Sequence, residues 1–292
     1  MVSELINGGH QVLGLARSDR GAASLAAAGA DVLRGSLEDL GSLRSEAANS
    51  DGVIHTAFIH DFLNYAAAAE ADRCAIETLG MALAGSGRPF VIASGTLLLW
   101  HKGSHATDED EADPNFPRDS ETAGLTMASH GVRVSAVRLP PSLHGDGDHG
   151  FVPLLIAIAR EKGVSAYVGD GLNRWPAVHR LDAARLYRLA LEKGSAGSRY
   201  HGVADQNVPF RDIAKVIGRH LNVPLVSKSP EEAADHFGWL SHFVSIDCPA
   251  SSVQTQERLG WRPTHPSLIA DIDSRSYFEA PTDAAGAVPM HR

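Results

Sequence analysis

The chain has 292 residues and a mass of 31.0 kDa, with 43% hydrophobic and 21% charged residues, which suits a globular α/β protein and not a low-complexity or fibrous one. The formal charge of -9 and the lack of a Lys/Arg stripe argue against nucleic-acid binding. Without a bilayer-length apolar run or a signal peptide, and with only Cys74 and Cys248, we expect a cytoplasmic protein that makes no membrane contact.

Strand and helix patterns alternate along the first half of the chain. A short helix at 1–9 precedes the first strand pattern, at 11–17. The remaining strands are predicted at 31–33, 52–58, 88–94 and 132–139, and the helices between them at 21–28, 40–48, 64–84 and 120–130. This rhythm predicts an α/β fold with a doubly wound, mostly parallel sheet and helices on both faces.

The pattern of predicted helices and strands changes after residue 150. Helices are predicted at 151–162, 182–193, 209–221 and 230–237, with strands at 165–168 and 199–204. Ser229 and Glu232 have the spacing of a capping box. We expect residues 1–150 to form one domain, residues 151–279 a smaller lobe interleaved with the last sheet strands, and residues 280–292 a disordered tail.

Ligands of open α/β sheets bind beyond the carboxyl ends of the strands. The strand pattern that begins at Val132 ends at Pro140, which lacks a backbone donor, and a glycine-rich turn follows. We therefore expect this turn to border any active site. The acidic loop 108–113 is expected to be a solvated surface, and Asp182 to be the N-cap of a helix.

Six short motifs in a fixed order carry a family resemblance that covers roughly residues 1–278. They are Gly8-Gly-His-Gln-Val, Gly35-Ser-Leu-Glu-Asp39, Asp51-Gly-Val-Ile-His-Thr-Ala57, Val91-Ile-Ala-Ser-Gly-Thr96, Arg138-Leu-Pro-Pro-Ser-Leu-His-Gly145 and Val178-His-Arg-Leu-Asp182. Together they resemble the NAD-dependent epimerase/dehydratase branch of the short-chain dehydrogenase/reductase superfamily. The resemblance implies a Rossmann-like dinucleotide-binding domain at 1–150, a substrate lobe at 151–279 and a possible homodimer.

The resemblance also implies a set of cofactor-binding residues. A guanidinium at Arg17 suits a 2′-phosphate, so NADP is the expected cofactor in preference to NAD; a solvated surface arginine is the alternative. Ser18 is expected at the ribose and Leu37 at the adenine. The other expected cofactor contacts are Ser36, Thr56, Ala57, Phe58, Pro140 and Ser142.

Two features of the family pattern are missing. The family's opening strand and glycine-rich turn are expected upstream of Val2, which leaves open an internal or misassigned start or a fragment. The catalytic Tyr-x-x-x-Lys pair is also absent, and Pro117 and Glu121 stand at the positions we match to it. The resemblance therefore indicates an atypical member.

Other residues are candidates for the catalytic roles of the absent Tyr-x-x-x-Lys pair. Ser94 and Thr96 are expected to bind the substrate oxygen, and His144 is a candidate acid/base because an imidazole titrates near neutral pH. Arg174 and Trp175 are candidate substrate contacts, with a structural loop as the alternative. The segment from His144 to His149 lacks a recognisable metal-ligand spacing, so no metal is expected.

These observations leave three hypotheses about function. The first is an NADP-type oxidoreductase or epimerase acting on a small carbonyl, alcohol or sugar-like molecule. The second is a non-catalytic dinucleotide-binding or regulatory protein, and the third is an inactive, truncated homologue.

Overall fold

The computed structural model describes residues 1–59, 64–102, 105–114, 116 and 118–279. The predicted tail at 280–292 and Pro117 lie outside these residues. The helices are α1 (Val2–Asn7), α2 (Asp19–Ala27), α3 (Leu40–Asn49), α4 (Tyr65–Ala82), α5 (Ser120–Leu125), α6 (Phe151–Lys162), α7 (Arg180–Lys193), α8 (Phe210–Leu221), α9 (Pro230–Phe237), α10 (Ser241–Val244), α11 (Val253–Leu259) and α12 (Leu268–Ile272).

The strands are β1 (Leu13–Ala16), β2 (Asp31–Arg34), β3 (Val53–His55), β4 (Pro89–Gly95), β5 (Arg133–Leu139), β6 (Ser142–His144), β7 (Ser165–Val168), β8 (Arg174–His179), β9 (Ser198–His201), β10 (Asp205–Pro209) and β11 (Leu225–Lys228). Short 3₁₀ helices lie at Thr96–Lys102, Thr126–His130, Gly238–Leu240 and Arg275–Tyr277. No helix within the described ranges is long and apolar enough to cross a membrane.

The main sheet is parallel, as the sequence predicts. β3, β4, β5 and β9 are neighbours in that order, and β1 pairs with β2 in a separate section. Within the described residues no ladder joins β1 to β3, so the two sections are not hydrogen-bonded into one sheet.

Alternate residues of the sheet face two helical layers. Phe90, Ile92 and Val134 pack with α3, α4 and α5 on one face. Val91 and Val137 pack against α7 on the other. This period-two burial on both faces is what a doubly wound sheet requires, so the predicted fold class is confirmed.

A second core lies among the elements after residue 150. β8 pairs with β6 and β10, β7 pairs with β11, and the helices α6, α8 and α9 surround Trp175 and Phe210. The predicted capping box is present: Glu232 N–H donates to Ser229 Oγ at 3.3 Å, and Ser229 N–H donates to the Glu232 carboxylate at 2.9 Å.

Three local predictions differ from the structure. The helix predicted at 120–130 tightens to 3₁₀ after Leu125, where Thr126 Oγ1 donates to Ala123 O at 2.7 Å and Ser129 Oγ to Thr126 O at 2.8 Å. The strand predicted at 52–58 ends at His55. Asp182 is not an N-cap, because α7 begins two residues earlier and His179 Nδ1 accepts from Leu181 N–H at 3.3 Å.

Candidate functional site at the carboxyl edge of the sheet

The carboxyl ends of the central strands bring polar residues into one row. Ser94 of β4 is in register with Arg138 of β5, and Arg138 is in register with His201 of β9. α5 lies over this row, and its close approach depends on Gly124, where a Cβ would overlap Ile92 of β4. The approach places Glu121 above the ends of β4 and β5.

Glu121 is the centre of this row. Its carboxylate accepts hydrogen bonds from Ser94 Oγ at 2.7 Å, from Arg138 Nε at 2.8 Å and also Nη2, and from Arg199 Nε at 2.9 Å. We call Ser94, Glu121, Arg138 and Arg199 the Glu121 cluster. Burial alone would raise the pKa of Glu121. The hydrogen bond from Arg138, the positive charge of Arg138, the hydrogen bond from Ser94 and the charge of Arg199 together outweigh burial, so the pKa of Glu121 is lowered. The carboxylate is therefore ionised and fully paired.

His201 extends the row as a neutral imidazole. Its Nδ1 donates to Ser251 O at 2.9 Å, which leaves Nε2 to accept from Arg138 Nη1 at 3.3 Å. Burial lowers the pKa of His201 to about 4, and the charge of Arg138 adds to this, although Asp108 opposes it.

Asp108 is buried, contrary to the prediction that the whole acidic loop is solvated. It is 3% exposed, its Oδ1 accepts the backbone N–H of His201 at 2.7 Å, and it also bonds the Thr255 hydroxyl. A buried carboxylate needs such donors, and both lie far along the chain. The loop residue therefore holds β9 and α11 together.

A second ionic group lies at the end of β3 and was missed by sequence reasoning. His55 Nε2 is 2.7 Å from Asp72 Oδ1, and Asp72 Oδ2 accepts from Arg118 Nε at 3.1 Å and from the Ser120 hydroxyl. Burial would raise the pKa of Asp72, but the bonds from His55, Arg118 and Ser120 lower it. This group joins β3, α4 and α5, and its charges are satisfied internally.

The residues predicted to contact the adenosine lie near the ends of β1 and β2. Arg17 is exposed and has no hydrogen bond or ion pair to any described residue. Ser18 Oγ accepts Gly21 N–H at 3.1 Å as the N-cap of α2, and Ser36 Oγ accepts Glu38 N–H at 3.3 Å. Leu37 is 8% exposed and packs in the sheet core, a placement that leaves little of its side chain for the expected adenine contact.

The residues after β3 keep the predicted access. Thr56 and Ala57 are exposed directly beyond the end of the strand. Phe58 is half-buried, and the guanidinium of Arg118 lies 4.1 Å from the centre of its ring. Arg17, Thr56 and Ala57 thus present an exposed guanidinium and exposed backbone at the carboxyl ends of two strands, an arrangement that fits a dinucleotide.

Ser94 and Thr96 differ in what they offer a substrate. Ser94 is partly exposed and commits its single proton to Glu121, so its lone pairs can accept a hydrogen bond from a substrate hydroxyl. Thr96 is 1% exposed, and its Oγ1 is buried without a hydrogen-bond partner among the described residues. Ser94 is therefore the predicted hydroxyl that a ligand can reach.

His144 does not lie beside Ser94. Its ring has no exposed surface, Nδ1 is 2.8 Å from Asp271 Oδ2, and Nε2 is buried without a partner among the described residues. The imidazoles of His144 and His179 pack edge to face, with ring centres 5.4 Å apart. Tyr277 Oη is 3.3 Å from Asp271 Oδ2. We call His144, His179, Asp271 and Tyr277 the His144 cluster. The predicted proton transfer to a substrate has no route from this closed position.

Two residues close to His144 in the sequence are also buried. Pro140 and Ser142 are buried, and Ser142 Oγ has no partner within the described part of the chain. Ser142 and His144 pair with Ala177 and His179 of β8, so β6 belongs to the small sheet. Their predicted approach to a nicotinamide is therefore not supported by this placement.

The two predicted substrate contacts of β8 are occupied structurally. Arg174 forms a two-pronged ion pair with Asp247, with Nε to Oδ1 at 2.9 Å and Nη2 to Oδ2 at 2.6 Å. Trp175 has no exposed surface and packs between Phe151 and Phe210. The predicted substrate contact of Trp175 is therefore not supported by this placement, because its ring lies on the face of β8 that packs into the core. Within the described ranges no cluster of three metal-ligating side chains occurs.

Comparisons with known proteins find relatives by sequence and, at lower identity, relatives by structure. No family model matches the sequence. The uncharacterized protein C2A9.02 of Schizosaccharomyces pombe is 51% identical over 280 residues, which are 95% of this chain and 95% of that protein. The uncharacterized protein YLL056C of Saccharomyces cerevisiae is 47% identical over 276 residues, 93% of each chain.

Solved structures share the fold at lower identity. The dTDP-glucose 4,6-dehydratase DesIV of Streptomyces venezuelae, with NAD and TYD bound, has a TM-score of 0.75 and 20% identity, covering 95% of this chain and 91% of its own. The UDP-glucose 4-epimerase of Thermotoga maritima, with UDP-glucose, has a TM-score of 0.74 and 17% identity, covering 95% and 93%. The chain belongs to one family with the two yeast proteins, and its fold is that of the NAD-dependent epimerase/dehydratase branch of the short-chain dehydrogenase/reductase superfamily.

Proposed function

We propose that the chain is an oxidoreductase or epimerase that uses a nicotinamide dinucleotide, prefers NADP and acts on a small carbonyl, alcohol or sugar-like substrate. The observation that carries this proposal is the placement of the exposed Arg17, Thr56 and Ala57 and of the partly exposed Ser94 at the carboxyl ends of β1, β3 and β4. The NAD-bound dehydratase with the same fold supports it.

Arg17 is the proposed reader of the adenosine 2′-phosphate. Its guanidinium is exposed and unpaired among the described residues, whereas the nearby Arg34 is already bonded to Asp19 Oδ1 at 2.6 Å. A free, planar guanidinium can bind a phosphate through two parallel hydrogen bonds. A carboxylate at the position of Arg17 would instead repel that phosphate.

Ser94 is the proposed partner of the substrate oxygen. Glu121 accepts a hydrogen bond from the Ser94 hydroxyl and fixes the direction of its proton, so the lone pairs of Ser94 are left to accept from a substrate O–H. A bound nicotinamide dinucleotide would supply the hydride acceptor for oxidation of an alcohol. The residues of this chain bind the dinucleotide and orient the alcohol.

Calorimetric titration with NADPH and NADH tests the cofactor assignment. We expect micromolar binding with NADPH preferred, and we expect Arg17→Ala to weaken NADPH binding about tenfold or more while NADH changes less than twofold. Arg34→Ala is the matched control, because it removes a paired guanidinium one strand away. Equal loss in both variants, or no binding to the folded chain, contradicts the proposal.

A regulatory, non-catalytic dinucleotide-binding protein is the second candidate. It is favoured by the lack of a free acid or base in the described part of the site, since Glu121 is fully paired and His144 is closed. NADP⁺ reduction with a panel of alcohols separates the two. Turnover lost in Ser94→Ala supports the enzyme, and binding of NADPH without turnover supports the regulator.

A further inference from the structure

Aromatic rings form a continuous series from the surface into the small lobe. Trp100 meets His242 edge-on at 6.2 Å between ring centres, and His242 lies next to Phe243 at 5.9 Å. Phe243 contacts Trp239 at 6.0 Å and Phe151 at 5.8 Å. We call these five residues the aromatic series.

The aromatic series connects the carboxyl edge of the main sheet to the small lobe. Trp100 lies in the 3₁₀ helix that follows β4, the strand of Ser94. Phe151 begins α6, Trp239 lies in the 3₁₀ helix after α9, and Phe243 lies in α10. The aromatic series therefore runs from the segment after β4 to the helices of the small lobe.

The two tryptophans of the aromatic series keep large apolar surfaces in solvent. Trp239 is 45% exposed and Trp100 is 42% exposed, whereas Trp175, at the inner end of the same ring contacts, is fully buried. Two exposed indoles joined through ring contacts are typical of a binding surface rather than of a core. A ligand with a flat apolar face would cover them.

Five cations of the carboxyl edge and the neighbouring segments are paired with carboxylates of the protein. Lys102 pairs with Asp110 at 2.9 Å, and Arg174 pairs with Asp247. Arg118 pairs with Asp72, and Arg138 and Arg199 share Glu121. Residues 236–248 contain no Lys or Arg. A nucleoside diphosphate carries at least two negative charges and needs uncompensated cations, which these segments do not offer in the described structure.

We infer that the substrate of the proposed enzyme is an uncharged alcohol with a flat apolar face, or the carbonyl compound formed from it, which stacks on Trp100 and Trp239 and, as the alcohol, presents its O–H to Ser94. This inference rests on the proposed function for the substrate's reactive group. The substrate class differs from the nucleotide sugars named for the dehydratase and epimerase of the same fold.

Equilibrium binding tests this substrate class without requiring turnover or cofactor preference. The full chain is titrated calorimetrically with 4-nitrobenzaldehyde, benzyl alcohol, methyl glucoside and UDP-glucose, each with and without saturating NADPH. We expect an uncharged compound to bind at least tenfold more tightly than UDP-glucose. Binding of the aromatic compounds or of methyl glucoside identifies which source of the flat apolar face is used.

Variants locate the binding to the two indoles. We expect Trp239→Ala and Trp100→Ala each to weaken binding of the preferred compound about fivefold to tenfold, with Trp239→Phe retaining most of the affinity. Met81→Ala, which removes an exposed apolar side chain of α4, is the matched control. Tighter binding of UDP-glucose, no binding of any uncharged compound, or unchanged affinity in both tryptophan variants overturns the inference, whether or not NADPH binds.

Discussion

The Glu121 cluster and the His144 cluster are both buried polar groups, but they differ in completeness. The Glu121 carboxylate accepts hydrogen bonds from Ser94, Arg138 and Arg199. In the His144 cluster, Nδ1 of the imidazole is paired with Asp271 and Nε2 is not paired within the described residues. The first cluster therefore fixes the sheet and α5 together, whereas the second retains an unused acceptor or donor inside the small lobe.

The largest expected effect comes from unbalancing the complete cluster. Glu121→Gln removes a buried negative charge and leaves Arg138, which has no exposed surface, without its counter-ion. We expect the free energy of unfolding in urea to fall by about 3–5 kcal/mol. Glu109→Gln, which removes one member of the exposed pair with Arg258, should change it by less than about 0.5 kcal/mol. A loss below 1 kcal/mol for Glu121→Gln would show that the pairing contributes little.

Acid should weaken the same region before it affects the rest of the sheet. The folded pKa of His201 is lowered from 6.5 to about 4 by burial, so the unfolded state binds the proton more readily. The stability contributed by neutral His201 is complete above about pH 6.5 and is lost as the pH falls toward 4, by about 2–3 kcal/mol. Urea unfolding at pH 7, 6, 5 and 4 measures this slope.

A matched variant assigns that slope to one residue. His201→Gln keeps a neutral hydrogen-bonding side chain, and the pH dependence between 6.5 and 4 should flatten in this variant although its stability at pH 7 is lower. An unchanged slope would mean that other groups with lowered pKa, such as His179 and His236, are responsible.

The smallest effect is expected in the incomplete cluster. His144→Phe removes the hydrogen bond to Asp271 but also removes the unpaired Nε2 from the interior. Because these two consequences oppose each other, we expect the free energy of unfolding to fall by only about 1 kcal/mol. His144→Ala is the comparison variant and should cost about 2–3 kcal/mol through lost packing. A Phe variant as unstable as the Ala variant would indicate that Nε2 has a partner in solution, such as an internal water.

The sequence predicts local structure well where neighbours along the chain decide it. Ser229 and Glu232 form their capping box because the two residues are three apart, and the strand ending near Pro140 is fixed by its own β-branched residues. Glu121 is different, because Arg138 and Arg199 reach it from β5 and β9, 17 and 78 positions away. Local patterns do not contain such pairings, so the match of Glu121 to a catalytic lysine could not reveal its structural role.

Trp175 is a second residue whose long-range contacts the local sequence pattern did not reveal. Its neighbours Asn173 and Pro176 indicate a loop, and an indole in a loop near a strand end is a reasonable substrate contact. The structure instead pairs Trp175 with Val208 of β10 and turns the ring toward Phe210. Long-range strand pairing therefore overrode a local pattern, and nothing within a dozen residues of Trp175 signalled it.

The bonds of Asp108 also determine when during synthesis the carboxyl edge can be completed. Its partners His201 and Thr255 lie 93 and 147 positions further along the chain. While the protein is still being translated, this carboxylate stays hydrated until α11 has emerged and docked. The loop beside the candidate site is therefore among the last parts of the molecule to reach its final arrangement.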